Sequence, residues 1–196
     1  MDDSIKAIFE KLQDEVTDMH YRWNMYREIY AGDSEQTKLL NDTACNFFYY
    51  VQHLTIDQLA LSFSKLTDPH KQRSHDNLSL KQVHVYASDA NELDLVTKLK
   101  PLYEELESNC SKFRALRNKR IGHADLKHAM KTAEEPLPGV SPEYIETALK
   151  SLRQYMNTIE LHYFNSQTAY EHTNGSFGTG GAALVKALRS KNCASK

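Results

Sequence analysis

Apolar side chains recur at every third or fourth position along most of the chain, a period that predicts helices rather than strands. Ile5, Ile8, Phe9, Leu12, Val16, Met19, Trp23, Tyr26 and Tyr30 draw one stripe over residues 4–30. Asp2, Asp3 or Ser4 supplies a cap at its start and Gly32 a stop. Asp33 and Gln36 have capping-box spacing for a second helix. That helix keeps the period through Leu39, Leu40, Thr43, Ala44, Phe47, Phe48, Val51 and Leu54. Leu59, Leu61, Phe63 and Leu66 then carry apolar character to a break at Asp68-Pro69. Residues 68–77 are polar throughout and read as a loop, with Ser79 capping a short helix after it. Val83 to Tyr86 is the one stretch that could pass for a short strand.

A further helix is expected from about Glu92 to Ile121, kinked or restarted at Pro101. Val96, Leu99, Leu102, Tyr103, Leu106, Cys110, Phe113 and Leu116 form its apolar side. Residues 133–141 read as a linker. Ser141 followed by Pro142 then opens a helix to about Glu171. The glycines between Asn174 and Gly181 suggest a flexible hinge before a short apolar patch, Ala182 to Leu188. The expected fold is all-α: an up-and-down helical bundle of four to five main helices over residues 1–172, then a hinge and short C-terminal helix over residues 173–196.

Composition narrows this picture. A chain of 196 residues, 40% hydrophobic and 26% charged, suits one well-buried domain with a short appendage, or two very small domains. Its 7 Gly and 5 Pro are few for a turn-rich β fold. A net charge of −2 provides no global positive field, so any nucleic-acid contact must come from a local patch. No apolar run approaches the ~20 residues that span a bilayer. Met1-Asp2-Asp3 is acidic where a secretory signal is basic. The expectation is therefore a cytoplasmic protein with no membrane partner. Cys45, Cys110 and Cys193 are odd in number and lack a Cys-x-x-Cys pair, which reads as idle thiols rather than a disulfide framework or zinc ribbon.

Several other features read as structural. Gly175, Gly178, Gly180 and Gly181 follow no strand and precede no Gly-Lys-Ser/Thr, so they do not form a phosphate cradle. His70 and His75 read as surface residues of the polar loop, with a loop role in touching RNA as the alternative. Tyr49, Tyr50, Tyr155, Tyr163 and Phe164 stand at helical spacing and read as core or dimer interface.

The local patch exists. Lys112, Arg114, Arg117, Lys119 and Arg120 place five cations within nine residues, with no acid among them. Arg117 falls on the seam of Leu106, Cys110 and Phe113, where a guanidinium needs a partner or a job. His123 follows six positions on. On an unbroken helix that is about 600° of turn, which would put the two side chains on different faces. Gly122 is a natural helix terminator, and a bend there lets His123 swing back towards Arg117 and Asn118.

Such a trio suits metal-free attack by an RNA 2′-hydroxyl on the neighbouring phosphate. An imidazole can take the hydroxyl proton or protonate the leaving oxygen. Arg117 would neutralise charge on the phosphorane, with a two-pronged geometry that Lys lacks. Asn118 would orient the phosphate or His123. Lys112, Arg114, Lys119 and Arg120 are the candidate RNA-backbone contacts. One His cannot readily serve as base and acid together, so a homodimer contributing two copies is expected. Read as metal ligands, His123, Asp125 and His128 have the wrong spacing, five rather than four between the histidines. No metal and no cofactor is expected.

Arg117-Asn-Lys-Arg-Ile-Gly-His123 resembles the Arg-x(4–6)-His signature of the HEPN superfamily (higher eukaryotes and prokaryotes nucleotide-binding). The likeness is to the abortive-infection branch of bacterial phage defence. Its Arg-Asn-Lys-x-x-Ala-His-x-Asp string is mirrored by Arg117, Asn118, Lys119, His123 and Asp125. Ser64-Lys-Leu-Thr-Asp-Pro69 and Asn77-Leu-Ser-Leu80 resemble that branch's segment ahead of the motif. With Trp23, Leu39-Leu40-Asn41 and Phe47-Phe48, the likeness spans residues 16–170.

The resemblance implies a dimerising bundle whose paired motifs line a cleft at the interface. It also implies a metal-independent endoribonuclease of a defence or toxin–antitoxin system, with an antitoxin or defence partner. The alternative is a non-catalytic module of the same fold that binds nucleotide, RNA or a protein. Gly122 departs from the usual Ala. Asp125, a supporting residue here, stands where some toxin members carry a Tyr that a nucleotidyltransferase modifies, so that control is not expected.

Overall fold

The computed structural model describes residues 3–172 and 179–194. The fold is all-α, as the periodicity predicts, and comprises eight α-helices among the described residues. They are α1 (Asp3–Tyr30), α2 (Ser34–Leu66), α3 (Leu80–Asp89), α4 (Leu93–Asn109), α5 (Ser111–Leu116), α6 (Leu126–Ala129), α7 (Pro142–Phe164) and α8 (Gly181–Ala194). A two-stranded hairpin, β1 (Lys71–Gln72) and β2 (His75–Asp76), joins α2 to α3 where the sequence suggests only a loop. Val83 to Tyr86 lies within α3 and is not a strand. None of the described helices is long and apolar enough to cross a membrane.

The chain divides into two compact units. The first comprises residues 1–16 and 60–168. Here the start of α1 buries Ile5, Phe9 and Leu12. Phe9 meets Phe164 of α7 at 6.0 Å, and Gln13 Nε2 donates to the buried Glu160 at 3.1 Å. Thr168 Oγ1 donates to the same carboxylate at 2.8 Å, so its lone pairs are satisfied. α4 packs along α7, and α3 packs against α4. Phe63 of α2 stacks on Phe113 of α5 at 4.5 Å, nearly parallel at 1°.

The second unit comprises residues 17–59 and 169–196. Trp23 stacks on Tyr26 at 4.9 Å, and Tyr30 donates its hydroxyl to the Phe48 carbonyl at 2.9 Å. Burial pushes the Tyr30 hydroxyl up to about 12, so it stays a donor. α8 docks on α1 by a close backbone approach. A Cβ at Gly181 would lie 2.7 Å from Ile29 Cγ1 and 2.8 Å from the Met25 carbonyl, so only glycine fits. Glu28 accepts from the Ala182 N–H at 3.0 Å. Of the expected hinge, residues 174–178 lie outside the described residues.

The elements differ from expectation in instructive places. Asp33 caps α2, accepting from the Gln36 N–H at 2.8 Å, but Gln36 does not complete the box. Its amide instead donates to the carbonyls of Glu28 and Ile29, both at 2.9 Å, closing the end of α1. α2 leaves helical geometry at Ala44 (φ −162°, ψ 68°). The break resets the phase of the stripe, so Phe47 and Leu54 face solvent at 59% and 64% exposure while Phe48 is buried. Tyr49 and Tyr50 are exposed with them, and Tyr155 is in the core.

Ser79 holds the N-cap position of α3 without a side-chain cap, and its hydroxyl is buried without a hydrogen bond. The helix expected from Glu92 to Ile121 runs straight through Pro101, which lies exposed, and breaks instead at Cys110. On a solvent-facing side, water can satisfy the carbonyl that proline's missing N–H leaves free. Ser141 caps α7 through a bond from the Tyr144 N–H at 3.2 Å, with Pro142 first in the helix. α7 stops at Phe164 rather than near Glu171, because Asn165 takes a left-handed conformation (φ 49°, ψ 38°) that ends it.

Candidate functional site

The cationic segment straddles α5 and the turn after it, both in the first unit. Phe113 and Leu116 anchor α5 in the core. Their neighbours Arg114 and Arg117 are thereby turned towards the end of α2, where Thr67 and Asp68 lie. The backbone then widens into a π-helical turn over Arg117–Ile121, closed by the Gly122 N–H donating to the Arg117 carbonyl at 2.7 Å. The helix ends there, as Gly122 suggests, though for a different reason. Its φ of −87° is open to any residue. What favours glycine is crowding, since a Cβ would lie 3.0 Å from the Arg117 carbonyl oxygen.

Arg114 makes three hydrogen bonds. Its Nη1 donates to Asp68 Oδ1 at 2.9 Å, and its Nη2 donates to the Thr67 carbonyl and hydroxyl, both at 2.8 Å. The Thr67 carbonyl also accepts from the buried Tyr103 hydroxyl at 2.9 Å. Arg117 is held more loosely. Its Nη2 stands 3.6 Å from the other Asp68 oxygen, an ion pair without a hydrogen bond. Its Nη1 donates to Asn118 Oδ1 at 2.9 Å. The Arg117 side chain is 35% exposed and Asp68 only 15%.

Asp68 is the site residue that sequence reasoning missed. A guanidinium on an apolar seam called for a partner, and Asp68 ends the helix whose Phe63 stacks on Phe113. The available signal was the single acid at the Asp68-Pro69 break. One sequence could not say which of 26 acids would reach Arg117.

The other candidates are dispersed around this core. His123 and Asn118 are exposed. Among the described residues the His123 ring makes no hydrogen bond, ion pair or ring contact, so no bond ties it to Arg117 or Asn118. Lys119 is exposed, and its carbonyl accepts from the Asp125 N–H at 3.1 Å, which brings the chain after His123 back against the turn. Arg120 is exposed. Lys112 lies 4.7 Å over the Tyr144 ring, a cation–π contact.

Asp125 caps α6, accepting from both the backbone N–H of His128 (3.1 Å) and its ring Nδ1 (2.6 Å). These bonds hold its carboxyl below the ordinary range. Asp125 and His128 are thus engaged with each other. Cys110, beneath the site, is buried, which pushes its thiol up to about 12 and leaves it unreactive.

A cavity of about 350 Å³ opens between α3 and α4, lined among others by His84, Lys81 and Tyr103. Tyr155 donates its hydroxyl proton to the Leu80 carbonyl at 3.0 Å. The His84 Nδ1 that meets the same hydroxyl at 3.1 Å must therefore carry its own proton. Burial first, and Lys81 second, lower the basicity of this imidazole.

The profile of the HEPN family described as AbiU2 matches residues 2–178. The chain belongs to this abortive-infection-associated family. No curated protein and no solved structure matches it.

Proposed function

We propose that the protein is a metal-independent endoribonuclease acting in phage defence or a toxin–antitoxin-like system. One observation carries the reading. Arg117 is held by an ion pair and one hydrogen bond, remains a third exposed, and sits on the same turn as Asn118, with His123 open to solvent two residues after it. A guanidinium pinned on one edge and free on the other is preorganised for a phosphate.

In the reaction, the RNA 2′-oxygen forms a bond to phosphorus while the bond from phosphorus to the 5′-oxygen breaks. One His123, neutral, takes the 2′-hydroxyl proton. A second His123, protonated, gives its proton to the leaving 5′-oxygen. Arg117 balances the charge on the non-bridging oxygens, and Asn118 fixes the Arg117 fork. The products are a 2′,3′-cyclic phosphate and a 5′-hydroxyl. The two histidines come from the two copies of a homodimer. Lys119 and Arg120 guide the RNA backbone, whereas Arg114 and Asp125 support the turn.

A second reading, a HEPN module that binds RNA, nucleotide or a protein partner without cleaving, is favoured by one observation. Among the described residues no hydrogen bond or ion pair orients the His123 ring, and a working base normally has an orienting partner. The test is RNA cleavage in excess EDTA by the wild type beside Arg117→Ala and His123→Ala. The endoribonuclease reading expects cutting by the wild type alone. If all three fold and none cuts RNA, the binding reading replaces it.

A further inference from the structure

The hairpin between α2 and α3 contributes nothing to the hydrophobic core. Every residue from Lys71 to Asp76 is exposed. Its shape is fixed nonetheless. Lys71 pairs with Asp76 and Gln72 with His75. At its base the Asn77 N–H donates to the His70 carbonyl and Asn77 Nδ2 to the Pro69 carbonyl, both at 2.8 Å. Gln82 Nε2 adds a third bond to the His70 carbonyl at 3.0 Å. At the tip Arg73 adopts φ 56°, a left-handed conformation that costs an arginine more than a glycine or asparagine. A rigid projection that buries no apolar surface is not there to stabilise the fold.

Its two cations, Lys71 and Arg73, outnumber its one acid, Asp76, which stands opposite Lys71 in the ladder. Three exposed lysines meet acids one helical turn away, Lys11 with Asp14, Lys38 with Asp42 and Lys98 with Asp94, whereas others on the helices, Lys6 and Lys150 included, make no ion pair among the described residues. Among the described residues Lys71 and Arg73 make no ion pair and no side-chain hydrogen bond. The hairpin is also tied to the site. It begins three residues after Asp68, whose carboxylate Arg114 and Arg117 hold. Three residues span about 10 Å of chain at most. The basic strand therefore starts within reach of the phosphates that flank one bound at Arg117.

We propose that the hairpin Lys71–Asp76 is a second contact for the phosphate backbone of single-stranded RNA, with Lys71 and Arg73 as its two phosphate ligands. The inference rests on the RNA-directed reading of the Arg117 site. It assigns the hairpin binding and no chemistry: sequence-independent contacts that extend the track of the strand past the reacting phosphate.

The test uses the full chain carrying His123→Ala, so that cleavage does not obscure binding. A fluorescein-labelled single-stranded 20-mer RNA is titrated at several salt concentrations. Each phosphate contact on a single strand contributes roughly 0.7 to the slope of log affinity against log salt. Lys71→Gln with Arg73→Gln is expected to lower that slope by roughly 1.4 and weaken binding alike for unrelated sequences. Lys6→Gln with Lys150→Gln changes net charge equally on exposed helix positions and should leave the slope alone. Arg73→Lys should retain it. In cleavage by otherwise wild-type protein, the hairpin pair should raise KM and leave kcat unchanged.

A hairpin variant whose slope equals that of the control pair overturns the proposal, whatever the cleavage result. The same holds if the chain shows no affinity for the RNA. If the hairpin pair lowers the slope while the wild type cuts nothing, the hairpin stands as an RNA contact and the endoribonuclease reading falls.

Discussion

The short helix α5 and the π turn that follows it are adjacent in sequence and both cationic, with one arginine in the helix and two in the turn, yet they hold their arginines differently. α5 buries Phe113 and Leu116 and aims Arg114 at Thr67 and Asp68, to which it makes three hydrogen bonds. The turn from Arg117 to Ile121 buries no residue. It holds Arg117 by one hydrogen bond to its own neighbour and an ion pair at 3.6 Å. Both arginines reach one carboxylate, and the closer one takes the better geometry. Arg114 thus fixes Asp68, and Asp68 in turn places Arg117 without consuming it. On the proposed reading, stability and reactivity are divided between two residues three positions apart.

The largest effect that would break this division is on activity. Replacing Arg117 or His123 by Ala should lower RNA cleavage by about 10²–10⁴-fold, because each is asked to act only on the reacting phosphate. The same variants should unfold within about 0.5 kcal/mol of the wild type in urea, since neither side chain anchors the core. Should Arg117→Ala unfold the protein, the division is wrong and Arg117 is structural.

Arg114→Ala should do the reverse. Losing three bonds and leaving part-buried Asp68 with only the Arg117 ion pair at 3.6 Å should cost about 1.5–3 kcal/mol in urea unfolding. A double-mutant cycle sharpens the contrast: Asp68 should couple to Arg114 by about 1–2 kcal/mol and to Arg117 by less than about 0.5. Equal couplings would mean that the two arginines share the carboxylate alike.

The smallest effect concerns pH and lies away from the site. The His84 imidazole has a lowered pKa in the folded state, so below its ordinary value of 6.5 the unfolded chain binds a proton that the folded one does not. Its contribution is therefore full above pH 6.5 and is lost as pH falls towards the depressed folded value. Melting temperature should fall on acidification through this range, and His84→Gln should flatten that slope.

Most of the fold was legible because α1, α4 and α7 each bury one face, and burial of one face imposes the period that a sequence shows. Ile5, Phe9, Leu12, Leu99, Leu106 and Leu152 are all in the core. The period failed where backbone rather than side chains decides. Nothing in Thr43-Ala-Cys45 announces a break at Ala44, and nothing marks Cys110 rather than Pro101 as the end of α4. The hairpin was unreadable for a similar reason, since Lys71 to Asp76 carries no alternation when both faces are exposed.

Of the proposed site, Arg117, Asn118 and His123 form a string that is visible in the sequence. The bond from Arg117 to Asn118 joins sequence neighbours. Asp68 could not be read, because a contact across 46 to 49 residues leaves no trace in the local pattern of one chain.

The central claim is that the RNA 2′-hydroxyl is the nucleophile, activated by His123 and stabilised by Arg117. The most direct measurement compares an RNA oligonucleotide that the protein cuts with the same oligonucleotide bearing a single 2′-deoxy nucleotide at the cut position, in excess EDTA. The account predicts a 2′,3′-cyclic phosphate and a 5′-hydroxyl from the first, and no cutting at that position of the second. Cleavage of both, or a product ending in a 5′-phosphate, would mean that water attacks instead, and would contradict it.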